Sequence, residues 1–279
     1  MYIIGQEEVD AVERVIKSKQ LFRYRGGEGG ETDQFEREWS KTIGVEHTVA
    51  VTSGTAALIS GLVGMGIGPG DEVIVPAYTF MATALAPLAV GAVPVLAEVD
   101  ASLTLDPADV ERKITPRTRV IIPVHMVGLP CNMDAIMRIA DDHDLLVLED
   151  ACQADGGSYG GKRLGAIGHA GAFSFNHFKI MTCGEGGALV TDDREIYERA
   201  LIFHDGGCSF RDHAPNLQAS MFAGWNFRIN EILSAILRVQ LTRLDGMLEA
   251  MLTEKRLMIQ ALDGAGPFKF NPIHDVEGD

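Results

Sequence analysis

Basic charge is scarce in this chain: 24 Lys and Arg stand against 39 Asp and Glu, a net charge of −15 over 279 residues. Nucleic acids and anionic lipid surfaces attract basic proteins, so this balance argues against both as partners while leaving room for a small anionic ligand in a local basic pocket. Cysteine pairs are missing too. Cys131, Cys152, Cys183 and Cys208 form no C-x-x-C pair and no short regular spacing, which points away from a zinc site or a disulfide framework and towards reduced thiols in a cytoplasmic protein. The eight histidines, His125, His177, His204 and His213 among them, do not pair at ligand spacing, so no metal site is expected. No segment is apolar for long enough to span a bilayer, and Met1 to Glu8 carry no basic region followed by an apolar core. Insertion and secretion are therefore not expected. There is no internal repeat, heptad array or low-complexity segment.

What is present is an ordinary folding composition, 46% hydrophobic and 23% charged, long enough for one large α/β domain or for one domain and part of a second. Val9, Val12 and Ile16 recur at helical spacing, a Gly/Arg-rich stretch at 23–30 reads as a flexible, charged loop, and Phe35, Trp39 and Ile43 mark a second helix. From His47 short β-rich runs alternate with helical stretches. The strands fall at Thr48 to Thr52, Glu72 to Val75, Val93 to Val99, Arg119 to Val124 and Leu145 to Glu149. The helices start at Thr55, at Phe80, behind Asp106-Pro107 and at Asn132. Such repeated units imply an α/β fold with a mostly parallel sheet covered by helices on both faces. Ala170 to Phe175 and Ala188 to Thr191 are expected to join it without a crossover helix between them. Beyond Asn230 a stripe from Ile232 to Leu252 reads as one long helix running to Leu262-Asp263-Gly264. The expected division is a large domain at 1–229 with an N-terminal helical segment, a long interdomain helix at 230–263, and at 264–279 the start of a small domain, largely absent, with Phe268-Lys269-Phe270 as its first strand.

Lys179 is an odd residue for its surroundings. It lies in Phe173-Ser174-Phe175-Asn176-His177-Phe178-Lys179-Ile180-Met181-Thr182-Cys183-Gly184-Glu185-Gly186-Gly187. Its apolar and small neighbours should disfavour the charged form and leave the amine available for a Schiff base with an aldehyde. An acidic residue at a strand end upstream, a serine five residues before the lysine and a glycine run five after it together suggest a pyridoxal phosphate site. Asp150 ends an apolar run, at the sheet edge where open α/β folds collect ligands. There it can pair with a protonated pyridine nitrogen or cap a helix. Gln153, one helical turn on, can reach the ring's phenolic oxygen. Thr52-Ser53-Gly54-Thr55 turns from strand to helix, so Gly54 and Thr55 either seat a phosphate or form an ordinary tight turn. Ser174 can donate to that phosphate or satisfy a backbone group, and Phe80 can stack on the ring or join the core. Glu185 reads as holding its turn. Asn226 and Arg228 suit phosphate or carboxylate binding, whereas Asn230 and Glu231 read as structural.

Taken together, Thr52 to Leu58, Gly70 to Pro76, Glu149 to Gln153, Phe173 to Gly187 and Trp225 to Arg228 resemble the pyridoxal phosphate-dependent sugar aminotransferases of the DegT/DnrJ/EryC1/StrS family, in the family's order and over essentially the whole chain. The resemblance implies the type I aspartate aminotransferase fold and a homodimer with both active sites at the interface. It implies Lys179 as Schiff-base lysine, Asp150 as partner of the pyridine nitrogen, Gln153 as the oxygen contact and Phe80 as stacking aromatic. Gly54, Thr55 and Ser174 match phosphate ligands, and Asn226 a residue reaching the neighbouring subunit's phosphate. The implied reaction moves an amino group from glutamate or glutamine to a keto sugar, nucleotide-linked or a keto-deoxy sugar acid, with pyridoxamine phosphate between the halves. Relatives with histidine in place of the lysine dehydrate their sugars, so Lys179 favours transamination. A dehydratase and a non-catalytic partner subunit are the alternative expectations.

Overall fold

The structure, a computed structural model, describes residues 3–24, 29–208, 216–267, 269–275 and 278. In chain order the elements are α1 (Gln6–Ser18), α2 (Glu31–Ile43), β1 (His47–Val51), α3 (Gly54–Gly64), β2 (Glu72–Pro76), α4 (Ala82–Ala89), β3 (Val93–Ala97) and α5 (Pro107–Lys113). Then follow β4 (Thr118–Ile121), α6 (Met133–Asp142), β5 (Leu146–Asp150), the short pair β6 (Ser158–Tyr159) and β7 (Lys162–Arg163), β8 (Ala170–Ser174), β9 (Gly187–Thr191), α7 (Arg194–His204), α8 (Glu231–Leu241) and α9 (Leu244–Leu262). Seven strands form one sheet in the order β1-β9-β8-β5-β4-β2-β3, parallel from β8 to β3, with β9 antiparallel to both β8 and β1. Because β9 is reversed between them, β1 and β8 run the same way. The C-terminal ends of β1, β8, β5, β4 and β2 therefore share one edge.

Alternation along the strands explains the layers. Val73 and Val75 face a core shared with Leu58 and Leu62 of α3 and Ala200 of α7, while Ile74 between them packs with Ile121, Met133 and Ile136 on the opposite face. Phe35 and Trp39 of α2 fill a further core against Phe173, Phe175 and Leu237. Trp39 meets Phe173 edge-on at 5.0 Å between ring centres and Phe175 at 5.4 Å. Helix α3 lies close on the sheet because Gly61 has no side chain: a Cβ there would come within 3.0 Å of Leu148 and of Leu189. Asp106 and Asn132 cap α5 and α6 as their sequence positions suggest, accepting from Ala108 N and Ala135 N.

Four local expectations differ from the structure. In α1 the buried face is Glu8, Ala11 and Val15, whereas Val9 and Ile16 are exposed. The Glu8 carboxylate accepts from Gly5 N at 2.7 Å, Gln240 Nε2 at 2.7 Å and Arg243 Nη1 at 2.6 Å, and that network turns the helix. The expected single helix after Asn230 is two. It breaks at Thr242-Arg243, where Arg243 N donates to Gln240 O at 3.0 Å and both side chains are drawn to Ile3 O. Arg23, placed in a charged loop, is buried: its Nη1 donates to Ala50 O at 2.7 Å and it pairs with Glu36. The rest of that loop at 25–28 lies outside the described residues. So does Phe268 of the expected final strand, and Lys269 and Phe270 are in no strand.

Candidate active site

Asp150 closes β5 at the shared edge and is buried. It caps no helix, because turns follow it; instead Oδ2 accepts from Thr83 Oγ1 at 2.8 Å and Oδ1 from Cys152 N at 3.2 Å. The carboxylate is thus held by two donors from different elements. Glu149, behind it, is fully buried and accepts from Gly165 N at 2.8 Å, Ile167 N at 2.7 Å and Gly168 N at 2.7 Å. His125 Nδ1 accepts from Cys131 N, so its proton lies on Nε2, which donates to Glu149 at 3.0 Å. This network stiffens the strand end that carries Asp150.

The turn from β1 into α3 meets the same edge. Ser53 Oγ caps α3 by accepting from Ala56 N at 3.1 Å, and Gly54 is the first helical residue. A Cβ on Gly54 would stand 2.7 Å from Cys152 Sγ, 2.8 Å from Ser174 Cβ and 3.3 Å from Ser174 Oγ. Only glycine allows that approach, and it brings Gly54, Cys152 and the buried Ser174 together at a positive helix end. Thr55, half-buried, follows in the same first turn. The main chain of 226–228 runs alongside: Thr52 N donates to Phe227 O at 2.9 Å, and Val51 bridges Arg228.

Lys179 sits half-buried in a loop between β8 and β9. Its own N–H donates to Asn176 O at 2.9 Å, His177 N donates to Gly184 O at 3.0 Å, and Asn176 Nδ2 donates to Glu185 Oε1 at 3.0 Å, so Glu185 does hold its turn. Lys179 lines a cavity of about 940 Å³ with Gln153, Asp155, Arg163, Phe178 and Leu248. Asp150, Gly54 and Ser174 are not among its walls. Cys152 links the two groups: burial and the Asp150 carboxylate push its thiol well up, while the Lys179 charge opposes them.

The remaining candidates are placed as follows. Phe80 is 69% exposed just before α4, which rules out the core, and its carbonyl accepts from Thr83 N at 3.2 Å. Gln153 is on no helix, contrary to expectation, because β5 is followed by turns; its Oε1 accepts from Val127 N at 3.3 Å. Asn226 is exposed. Arg228 is committed to Asp205 at 2.6 Å rather than open for a ligand. Asn230 caps α8, and Glu231 accepts from Glu31 N and Thr32 N, both structural as read. Two residues escaped sequence reasoning. Thr83 carries no local signal for its bond to Asp150, and Asp155, between Ala154 and Gly156 beyond the strand, reads as an ordinary turn acid with no signal for its burial. Among the described residues there is no metal-competent cluster and no helix long and apolar enough to cross a membrane.

The sequence profile described as the DegT/DnrJ/EryC1/StrS aminotransferase family matches residues 2–277. A 3-amino-5-hydroxybenzoate synthase of Amycolatopsis mediterranei is 42% identical over 261 residues, covering 92% of this chain and 66% of that protein. A dTDP-3-amino-3,4,6-trideoxy-alpha-D-glucose transaminase of Streptomyces venezuelae is 43% identical over 243 residues, covering 85% and 62%. Among solved structures, a 3-amino-5-hydroxybenzoic acid synthase superposes with a TM-score of 0.86 at 40% identity, covering 95% of this chain and 68% of that one. The chain thus spans a little under two thirds of the length of these curated relatives.

Proposed function

This chain belongs to the DegT/DnrJ/EryC1/StrS aminotransferase family, and from that premise we propose that it serves a pyridoxal phosphate-dependent transamination, moving an amino group from glutamate or glutamine to a keto sugar. The observation that carries the reading is the close approach of Gly54, at the start of α3, to Cys152 and Ser174 at the sheet edge that Asp150 closes.

The residues present fit the cofactor. Gly54, Thr55 and Ser174 would hold the phosphate at the start of α3, in a cradle that one added Cβ would fill. Asp150, fixed by Thr83 and Cys152 N, would hold the pyridine nitrogen protonated, with Phe80 over the ring and Gln153 at its oxygen. Pyridoxal phosphate, when bound, supplies an electron-poor ring that stabilises negative charge on the substrate carbon. Lys179 Nζ would take the proton from the donor's α-carbon in the first half-reaction and deliver one to the carbon that accepts the amine in the second. The cavity beside Lys179, walled by Arg163, Asp245, Glu249 and Arg256 among others, offers charged and polar groups to a hydroxylated substrate. A homodimer with Asn226 reaching the neighbouring subunit's phosphate completes the reading, and the exposed Phe80, Met81, Leu88 and Trp225 support such a contact.

Lys179→Ala tests it. The wild-type chain with pyridoxal phosphate should show absorbance at the visible edge that shifts on adding glutamate and is trapped on Lys179 by borohydride. The variant should show neither trapping nor turnover, and turnover retained without the lysine would refute the assignment.

A further inference from the structure

Asp155 has no place in the chemistry just described. It is 1% exposed, and its Oδ1 has no hydrogen-bond partner. It lines the same cavity as Lys179, yet no ion pair joins the two. A buried carboxylate oxygen without a donor is costly, and native proteins keep such groups where something arrives to meet them.

We propose that Asp155 Oδ1 is the resting position of the Lys179 ammonium, the partner that receives the amine whenever it is not engaged with cofactor or substrate. The inference takes from the functional reading only that Lys179 is the reactive amine. A lysine that is displaced and re-engaged in every cycle needs somewhere to carry its charge, and Asp155 is the buried acid in its cavity wall with an unpartnered oxygen. Its flexible four-carbon stem lets it swing, and a compact ammonium suits a single open carboxylate oxygen.

The groups facing the pair are limited. Cys152 lies on the same turn and Asp150 at the strand end before it, and Arg163 is already bound to Gly156 O and to Asp245 at 3.3 Å. From α9, Asp245, Glu249, Lys255 and Arg256 line the cavity, and His177 and Arg243 line the adjoining one with Lys179. Burial pushes the Asp155 carboxyl well above the usual range, and the Lys179 charge draws it back. Asp155 is thus a positioning residue, acting through the lysine.

Competitive acylation of the full chain with acetic anhydride, read by mass spectrometry at Lys179 against the exposed Lys41, tests the pairing. At pH 7.5 without cofactor, Lys179 of Asp155→Asn should be labelled about tenfold faster than wild type, because its amine loses the carboxyl oxygen that holds it. Equal rates would overturn the proposal. Added pyridoxal phosphate should protect Lys179 in both proteins; protection absent from both defeats the functional reading and leaves the rate comparison standing. Should the variant not fold, wild-type chain treated with a carbodiimide decides alone: an isopeptide between Lys179 and Asp155 is expected, and its absence overturns the pairing.

Discussion

Gly54→Ala probes the closest approach in the site. The added Cβ would stand 2.7 Å from Cys152 Sγ and 2.8 Å from Ser174 Cβ, against an ordinary carbon contact of about 3.5 to 4 Å. Neither neighbour can swing away cheaply. Cys152 is held in its turn by the bond from its N–H to Asp150 Oδ1, and Ser174 pairs with Gly187 at the end of β8. The start of α3 must therefore move by most of an ångström, an overpacking cost of about 1 to 3 kcal/mol. Alanine's better helix propensity offsets at most about 1 kcal/mol of that. The net loss is then about 0 to 3 kcal/mol, and its middle, about 1 to 2 kcal/mol, lowers the melting temperature by about 2 to 8 °C in a chain of this size. Gly246→Ala is the control, since this glycine lies inside α9 with nothing within 4 Å of its added Cβ. It should gain about 0.5 to 1 kcal/mol. Cofactor affinity separates packing from function: Gly54→Ala shifts the start of α3 away from Ser174 and should weaken pyridoxal phosphate binding, whereas Gly246→Ala should leave it unchanged. Adding Cys152→Ala removes the sulfur contact but not the serine one, so the double variant should recover part of the loss. If both alanine variants shift stability in the same direction, or if Gly54→Ala binds the cofactor as wild type does, the cradle argument is wrong.

Thr83→Val removes the hydroxyl that donates to Asp150 Oδ2 and leaves only Cys152 N on the carboxylate. Equilibrium dialysis should show pyridoxal phosphate retention weakened about tenfold, the scale of a hydrogen bond to a charged group, and an unchanged Kd would remove Thr83 from the site. His204 gives a pH dependence of stability. Its Nδ1–H donates to Leu201 O at 2.7 Å and its Nε2 accepts from the buried Arg23 at 2.8 Å, so burial and then the Arg23 charge hold its pKa well below the ordinary 6.5. The unfolded chain then binds the extra proton first, and stability falls as pH drops through about 6.5, by about 1.4 kcal/mol between pH 7.5 and 5.5. Urea midpoints for wild type and His204→Gln should converge by that amount on acidification; parallel curves would mean the ring is protonated in the fold.

What the sequence made legible is what local chemistry decides. The alternating strands and helices were readable because a parallel sheet buried on both faces demands continuous apolar runs, and because Asp106 and Asn132 mark helix starts within three residues of their partners. Lys179 and Asp150 stood out as charges in apolar surroundings. What long-range partners decide was not readable. The face that α1 buries depends on Gln240 and Arg243, and the break before α9 depends on the same contacts with Ile3 and Glu8. Thr83 meets Asp150 across 67 positions, and no pattern near either residue encodes that.

The position of Cys152 shows why the two halves of the site belong to one structure. Its backbone N–H fixes Asp150, its sulfur touches the space above Gly54, and its thiol senses both Asp150 and Lys179. A side chain larger than a thiol would collide with the start of α3, and the Gly54 approach already leaves no slack. The turn between Asp150 and Asp155 therefore ties the strand-end carboxylate, the helix start and the lysine cavity to one another through short covalent distance. Any substitution that moves this turn should change all three at once, so damage to stability and to ligand binding should rise together across variants of residues 150–155.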